Sequence, residues 1–154
     1  MSTTPDKRQM KAAARLYAVQ ALFQMERSGQ TVEQVIQEFE DHRFGAVYEG
    51  DEMAEGDPKH FRKVMDEAVN WQAKVDQMTD RALVAKWPIA RIDPVLRALF
   101  RAAGAELVAL DTPPKVVINE YVEVTRAFFP EGRETKFVNA VIDHMAREAR
   151  PEAF

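Results

Sequence analysis

The sequence predicts an all-α fold, a bundle of about seven helices that forms one domain over residues 1–154. Three observations support this prediction. Apolar residues recur every three or four positions along nearly the whole chain, which is the spacing of one helix face. The helix-start pair Asp-Pro occurs twice, at 57–58 and at 93–94. No segment shows the alternation of apolar and polar residues that predicts a half-buried strand.

The first two helices are predicted from their capping residues. The first begins after Asp6 and runs to Arg27, before a terminating Ser28-Gly29. The second begins at Thr31, which forms a capping box with Gln34. The apolar residues of the two helices are Met10, Ala14, Tyr17, Ala21 and Met25, and then Val35, Ile36 and Phe39.

The middle of the chain predicts a solvated loop followed by two helices. Residues 45–57 contain three glycines and five acidic residues, a composition typical of a loop. Asp57 then caps a helix of about five turns, and Thr79 caps a short helix that ends near Trp87-Pro88. The apolar residues of the longer helix are Phe61, Val64, Met65, Ala68, Val75 and Met78.

Three further helices complete the predicted bundle. They begin at Asp93-Pro94, at Pro113-Pro114 and after the loop at 129–133. Their apolar residues are Val95, Leu96, Leu99, Phe100, Ala103 and Leu107; Val117, Ile118, Tyr121, Thr125 and Phe128; and Phe137, Val138, Val141, Ile142 and Met145.

Composition excludes several classes of protein. The chain has no cysteine, which excludes disulfides, thiol catalysis and cysteine-ligated metals. It contains no run of about 18 apolar residues and no apolar stretch at its start, so a cytoplasmic protein is expected. Phosphate-loop, zinc-protease and nucleophile-elbow motifs are absent, so we expect no enzyme activity, cofactor or metal.

The net charge of −4 is distributed unevenly. Residues 1–32 contain five basic and two acidic side chains, whereas residues 33–57 contain one basic and nine acidic side chains. The acidic segment therefore conceals a basic amino-terminal part, and the overall acidity does not exclude a polyanionic partner.

The first helix carries the candidate nucleic-acid contacts. Arg8, Lys11 and Arg15 fall within an arc of about 60°, with Lys7 nearby, so they could follow a phosphate backbone. A solvated helix face is the alternative. Cations at a helix amino terminus oppose the helix dipole, which indicates that they do not serve helix stability.

Two further features predict binding. Leu16, Val19 and Phe23 form a second apolar arc on the first helix, which should contact either more core or another protein. Lys136-Phe137, with Arg133 before it, combines charge and an aromatic ring, as single-stranded nucleic acid favours. For Phe137 itself we expect a core position, because it shares a stripe with later apolar residues.

Three runs in the sequence resemble the NusB family of bacterial transcription antitermination factors. They are AARLYAVQALF at 13–23, KVVINEYVEV at 115–124 and KFVNAVID at 136–143. The resemblance extends from about residue 8 to 149 and implies an all-helical, RNA-binding protein without enzyme activity. It further implies binding to the boxA element of nascent ribosomal RNA together with NusE, a small-subunit ribosomal protein, and assembly with NusA, NusG and elongating RNA polymerase.

The resemblance also assigns residues. It places RNA contacts on Arg8, Lys11, Arg15, Lys136 and Phe137, and the NusE-facing surface on the first helix near Phe23 and on the fifth helix around Leu96 and Arg97. The sequence departs from the family pattern at some of these positions. Phe23 stands where tyrosine is common, the acidic residue that is common near Leu96 is missing, and Ala140 stands where glycine is usual.

Two alternatives stay open. One is a helical adaptor that contacts proteins but not RNA. The other is a stand-alone relative of the NusB-like module of ribosomal RNA cytosine methyltransferases. Those enzymes need a methyl-donor-binding domain and a catalytic cysteine, and this sequence contains no cysteine.

Overall fold

Helices dominate the structure, a computed structural model that describes residues 6–45, 47–48, 51–52, 55–83 and 92–154. Within these ranges the α-helices are α1 (Lys7–Ser28), α2 (Val32–His42), α3 (Pro58–Asn70), α4 (Gln72–Ala82), α5 (Pro94–Ala109), α6 (Pro114–Phe128) and α7 (Thr135–Ala149). A 3-10 turn follows at Pro151–Ala153. The predicted all-α class is confirmed.

One small sheet lies inside the segment that was predicted to be a solvated loop. Strands β1 (Val47–Tyr48) and β2 (Asp51–Glu52) pair antiparallel, with Val47 opposite Glu52 and Tyr48 opposite Asp51. Two residues per strand are too few to produce a recognisable alternation of side chains, so the sequence pattern could not predict them.

The capping residues fix the helix ends as predicted. The Asp6 carboxylate accepts the Gln9 N–H at 2.8 Å, and the Gln9 side chain accepts the Asp6 N–H at 2.9 Å. The same reciprocal box joins Thr31 and Gln34 at the start of α2. Gly29 ends α1 in the left-handed region, with φ of 74°, where a side chain would be strained. Asp93 likewise caps α5 by accepting the Val95 N–H at 2.7 Å.

The boundary between α3 and α4 was predicted at the wrong residue. The helix breaks at Trp71, with φ of −110° and ψ of 14°, whereas Thr79 lies buried within α4. The Thr79 hydroxyl donates to the Val75 carbonyl at 2.8 Å, so it is satisfied one turn back instead of capping a new helix. The predicted helix end near Trp87-Pro88 lies outside the described residues.

The chain divides into two compact units, Met1–Asp66 and Glu67–Phe154, hereafter the amino-terminal and carboxy-terminal units. The prediction that residues 1–154 form a single domain stays a prediction.

An aromatic cluster forms the centre of the amino-terminal unit. Its four rings are Tyr17, Phe39, Phe44 and Phe61. Tyr17 stacks on Phe44 with centroids 4.8 Å apart, and Phe39 stacks on Phe61 at 5.9 Å. Phe44 meets Phe61 edge to face at 5.0 Å. Because the rings come from α1, from α2 and its following turn, and from α3, the cluster fixes these elements together.

In the carboxy-terminal unit, α5 is the central helix and packs against α4, α6 and α7. Its approach to α4 depends on Gly104. A Cβ atom at this position would lie 2.3 Å from Cγ1 of Val75, far inside contact distance. The absence of a side chain at residue 104 therefore sets how closely the two helices pack.

The carboxyl end of α5 is held by polar contacts. The buried Glu106 carboxylate accepts the hydroxyls of Tyr121 at 2.5 Å and of Thr112 at 2.9 Å. The Arg150 guanidinium donates to the carbonyls of Leu107 at 2.8 Å and of Glu106 at 3.1 Å. The bond from Arg150 to Leu107 satisfies one of the carbonyls that the end of a helix leaves without a helical partner.

Candidate nucleic-acid interface

The first turns of α1 present a short basic surface. Lys7, Arg8 and Lys11 are all exposed. The capping box at Asp6 fixes the start of this helix. The Asp57 N–H donates to the Met10 carbonyl at 3.0 Å, while the Asp57 carboxylate accepts the His60 N–H at the start of α3. The backbone that carries these cations is therefore held at both ends of its first turns.

Arg15 does not extend this surface, although the helical projection put it on the same stripe. Its exposed fraction is only 4%. Between residues 13 and 22 most side chains of α1 are buried, including Ala13, Ala14, Tyr17 and Ala18. A projection of one helix gives the direction of a side chain but not what covers it. The exposed basic stripe therefore ends at Lys11.

The apolar arc of α1 is only partly accessible. Val19 is fully buried, which corrects the expectation that it offers free surface to a partner. Leu16 and Phe23 are half-buried, and the Arg27 guanidinium lies 5.4 Å from the centroid of the Phe23 ring. Leu16 and Phe23 are the two members of the arc that another protein could contact.

Tyr17 anchors the same helix from its buried side. Its hydroxyl donates to the Arg43 carbonyl at 3.5 Å. Burial raises the pKa of Tyr17 above its ordinary value, Glu55 raises it further, and Arg43 lowers it. Tyr17 is therefore neutral at physiological pH, and its ring serves to orient α1.

On α5, the two residues assigned to the partner surface differ in exposure. Leu96 is buried, so the expectation that it faces a partner is not met by its side chain. Arg97, the next residue, is half-buried. Adjacent residues of a helix point about 100° apart, so Arg97 can be partly accessible while Leu96 points into the core.

Phe137 lies at the surface, contrary to the expectation of a core position. It is 37% exposed, whereas Val138 is fully buried. The buried residues of α7 are Val138, Val141, Ile142, Met145 and Ala146. Phe137 lies about 100° around the helix from Val138, at the edge of this buried face. Its ring contacts Phe100 edge to face, with centroids 6.1 Å apart.

Two cations precede this exposed ring in the sequence. Lys136 and Arg133 are both exposed, and Arg133 forms a surface ion pair with Glu131 at 3.6 Å. The turn before α7 is fixed by Gly132, with φ of 77°, and by the Thr135 hydroxyl, which donates to the Gly132 carbonyl at 2.8 Å. The start of α7 thus presents an aromatic ring and charge on a defined backbone.

Two contributors escaped the sequence patterns. Phe100 was assigned only to the apolar set of α5, and nothing in its spacing indicates a contact with a surface ring. Asp57 was predicted as a cap, which is correct, but its backbone bond to Met10 has no sequence signal.

Among the described residues, no three His, Asp or Glu side chains form a group that could hold a metal ion. None of the helices there is long and apolar enough to span a membrane.

Named relatives and solved structures resemble this chain over nearly its whole length. The chain is 46% identical over 154 residues to the transcription antitermination protein NusB of Maricaulis maris, covering 99% of this chain and 96% of the relative. A structure of NusB from T. maritima is 27% identical, covers 99% of both chains and superposes with a TM-score of 0.74. A structure of the antitermination factors NusB and NusE in complex with dsRNA is 21% identical, covers 93% of this chain and 99% of the other, and gives a TM-score of 0.72.

The family model for the NusB family matches residues 12–147. The match begins just after Lys11, so the exposed cations of the first turns precede it. All later candidate residues fall within it. The chain belongs to the NusB family.

Proposed function

We propose that this chain is a transcription antitermination factor that binds the boxA element of nascent ribosomal RNA together with NusE. In this role it joins elongating RNA polymerase with NusA and NusG in the cytoplasm, and it acts by binding rather than by catalysis. Its relatives are named transcription antitermination proteins, which supports the role in antitermination. The solved neighbour that contains NusB, NusE and dsRNA supports the choice of partners.

The exposure of Phe137 beside Lys136 is the observation that carries RNA binding. A large apolar ring left at the surface next to a cation suits single-stranded nucleic acid, because the ring stacks on a base while the cation holds a phosphate. In this proposal Lys7, Arg8 and Lys11 bind phosphates from the amino-terminal unit. Arg133 and Lys136 do so from the carboxy-terminal unit, and Arg15 makes no direct contact.

The proposed NusE contacts are Leu16 and Phe23 in the amino-terminal unit and, taken separately, Arg97 in the carboxy-terminal unit. Val19 and Leu96 are buried, so we assign their side chains no direct contact with NusE. Leu16 and Phe23 suit either more core or a protein partner, and their partial exposure favours the partner.

A gel-shift titration with boxA-like RNA and a scrambled RNA tests the proposal. Preferential binding of the boxA-like RNA is expected. A folded protein that binds neither RNA, alone or with NusE, would overturn the proposal and favour the adaptor without RNA contact.

Removing two cations from α1 should weaken the salt dependence of RNA binding. If Lys7 and Lys11 each neutralise one phosphate of a single strand, the Lys7→Ala, Lys11→Ala double variant should lose about 1.4 units from the slope of log affinity against log salt. The control is the Lys59→Ala, Lys63→Ala double variant, which removes the same charge from exposed positions of α3. Equal slopes for both double variants would assign the α1 cations to solvent.

Replacing the exposed ring should affect binding more than stability. Phe137→Ala removes a stacking surface, so RNA affinity should fall by about 1–3 kcal/mol, while the free energy of unfolding changes by less than about 1 kcal/mol because the ring is partly exposed. The neighbouring Val138→Ala is the matched control. It should lower stability by on the order of 2 kcal/mol and leave affinity nearly unchanged. A large loss of stability with unchanged RNA affinity in Phe137→Ala would mean that Phe137 is a core residue.

A further inference from the structure

The exposed ring of Phe137 rests on a buried one. Phe100 lies on α5 and is fully buried, and Phe137 lies at the start of α7 in the same unit. The two ring planes make an angle of 69°, with centroids 6.1 Å apart. This is the edge-to-face arrangement that the quadrupoles of aromatic rings favour.

The contact limits the conformations of Phe137. A phenylalanine on a helix surface can occupy two χ1 rotamers, and a ring without a neighbour exchanges between them. An aromatic partner favours the rotamer in which the two rings meet. In either sense of an edge-to-face contact, at least one face of Phe137 is not covered by Phe100.

We propose that Phe100 is a positioning residue for RNA binding. It holds the Phe137 ring in one orientation and leaves a face available for a base of a single strand to stack on. Binding then costs less, because the side chain is already ordered before the RNA arrives. This inference rests on the proposed function, since it gives a role to a ring that supports an RNA contact.

Additional features support a specific role over mere bulk. Any large apolar side chain would fill the interior position of residue 100, whereas only an aromatic one provides a polarised edge or face to Phe137. Phe137 in turn is flanked by the exposed Lys136, and its backbone is fixed by the turn at Gly132 and Thr135. The backbone and the ring are thus both fixed, each by a separate contact.

A double-mutant cycle with the full chain tests this role. The probe is a labelled boxA-like RNA, titrated against wild type, Phe100→Leu, Phe137→Leu and the double variant. Phe100→Leu should weaken binding about 2- to 10-fold in the wild-type background and have no further effect when Phe137 is already leucine. Phe100→Met is the second variant should the leucine protein fail to fold, with the same expectation.

A second readout needs no RNA. NMR of selectively labelled phenylalanine should report one χ1 rotamer for Phe137 in wild type and averaging between rotamers in Phe100→Leu. The control is Leu107→Val, another buried truncation on α5, which should lower the free energy of unfolding but alter neither affinity nor the Phe137 signal.

Several outcomes would overturn the inference. An equal loss of affinity from Phe100→Leu in both backgrounds would mean that it acts only through general stability. Unchanged affinity in Phe100→Leu, while Phe137→Leu binds weakly, would remove the positioning role and leave the proposed function intact. Failure of the wild-type protein to bind RNA would instead defeat the proposed function, and this inference with it.

Discussion

NusE is expected to tighten binding of boxA-like RNA by this protein about 5- to 150-fold, the range typical of coupling between two ligands. The chain has a net charge of −4, and the first turns of α1 carry only three exposed cations, Lys7, Arg8 and Lys11. Few phosphate contacts on an acidic protein give weak binding with modest sequence preference. A partner on α1 would add basic surface and base contacts. Because coupling is reciprocal, RNA should tighten NusE binding by the same factor.

Phe23→Glu is the variant that isolates this coupling. It places a charge on the proposed NusE surface, so the enhancement by NusE should disappear while the weak intrinsic RNA affinity remains. Val116→Glu adds the same charge at an exposed apolar position of α6 and serves as the matched control. Calorimetric titrations give the affinity for NusE with and without RNA and the affinity for RNA with and without NusE. An enhancement by NusE that survives Phe23→Glu would contradict the proposed contact of NusE with Phe23 on α1.

Phe61→Ala should cost about 3–5 kcal/mol of unfolding free energy, the usual cost of truncating a fully buried phenylalanine. Phe61 contacts both Phe39 and Phe44 in the aromatic cluster. Its loss leaves a cavity where α1, α2 and α3 are joined. Urea denaturation with a shared m-value gives the difference directly.

Phe137→Ala is the control for this stability effect, since the same atoms are removed from a partly exposed position. Its cost should be several-fold smaller than that of Phe61→Ala. A cost for Phe61→Ala as small as that of Phe137→Ala would mean that the aromatic cluster does not hold the amino-terminal unit together.

Helix ends could be predicted from the sequence because capping is local. Asp6, Thr31 and Asp93 each accept a backbone N–H two or three residues away, so the signal and the structure lie within one turn. The break at Trp71 has no such signal. Neither glycine nor proline stands there, and the apolar spacing continues across it.

The accessibility of the candidate residues could be predicted less well. Periodicity correctly grouped Arg8 with Lys11 on α1, but the burial of Arg15 depends on what packs around the helix. The predicted core position of Phe137 was wrong for a similar reason, because a residue at the edge of a buried face has the same spacing as one at its centre. Charge and periodicity indicated the candidate contacts, the family resemblance named RNA and NusE as the partners, and the assignment stays a prediction.

The close packing at Gly104 also restricts the order in which mutations can accumulate. A side chain at residue 104 collides with Val75, so an alanine there is tolerated only after residue 75 has become smaller. The two substitutions are therefore not additive, and the path that changes residue 104 first passes through a destabilised intermediate. The tolerated order therefore begins with a smaller residue at position 75, which leaves a cavity beside Gly104. A side chain at residue 104 can then fill that cavity without a clash.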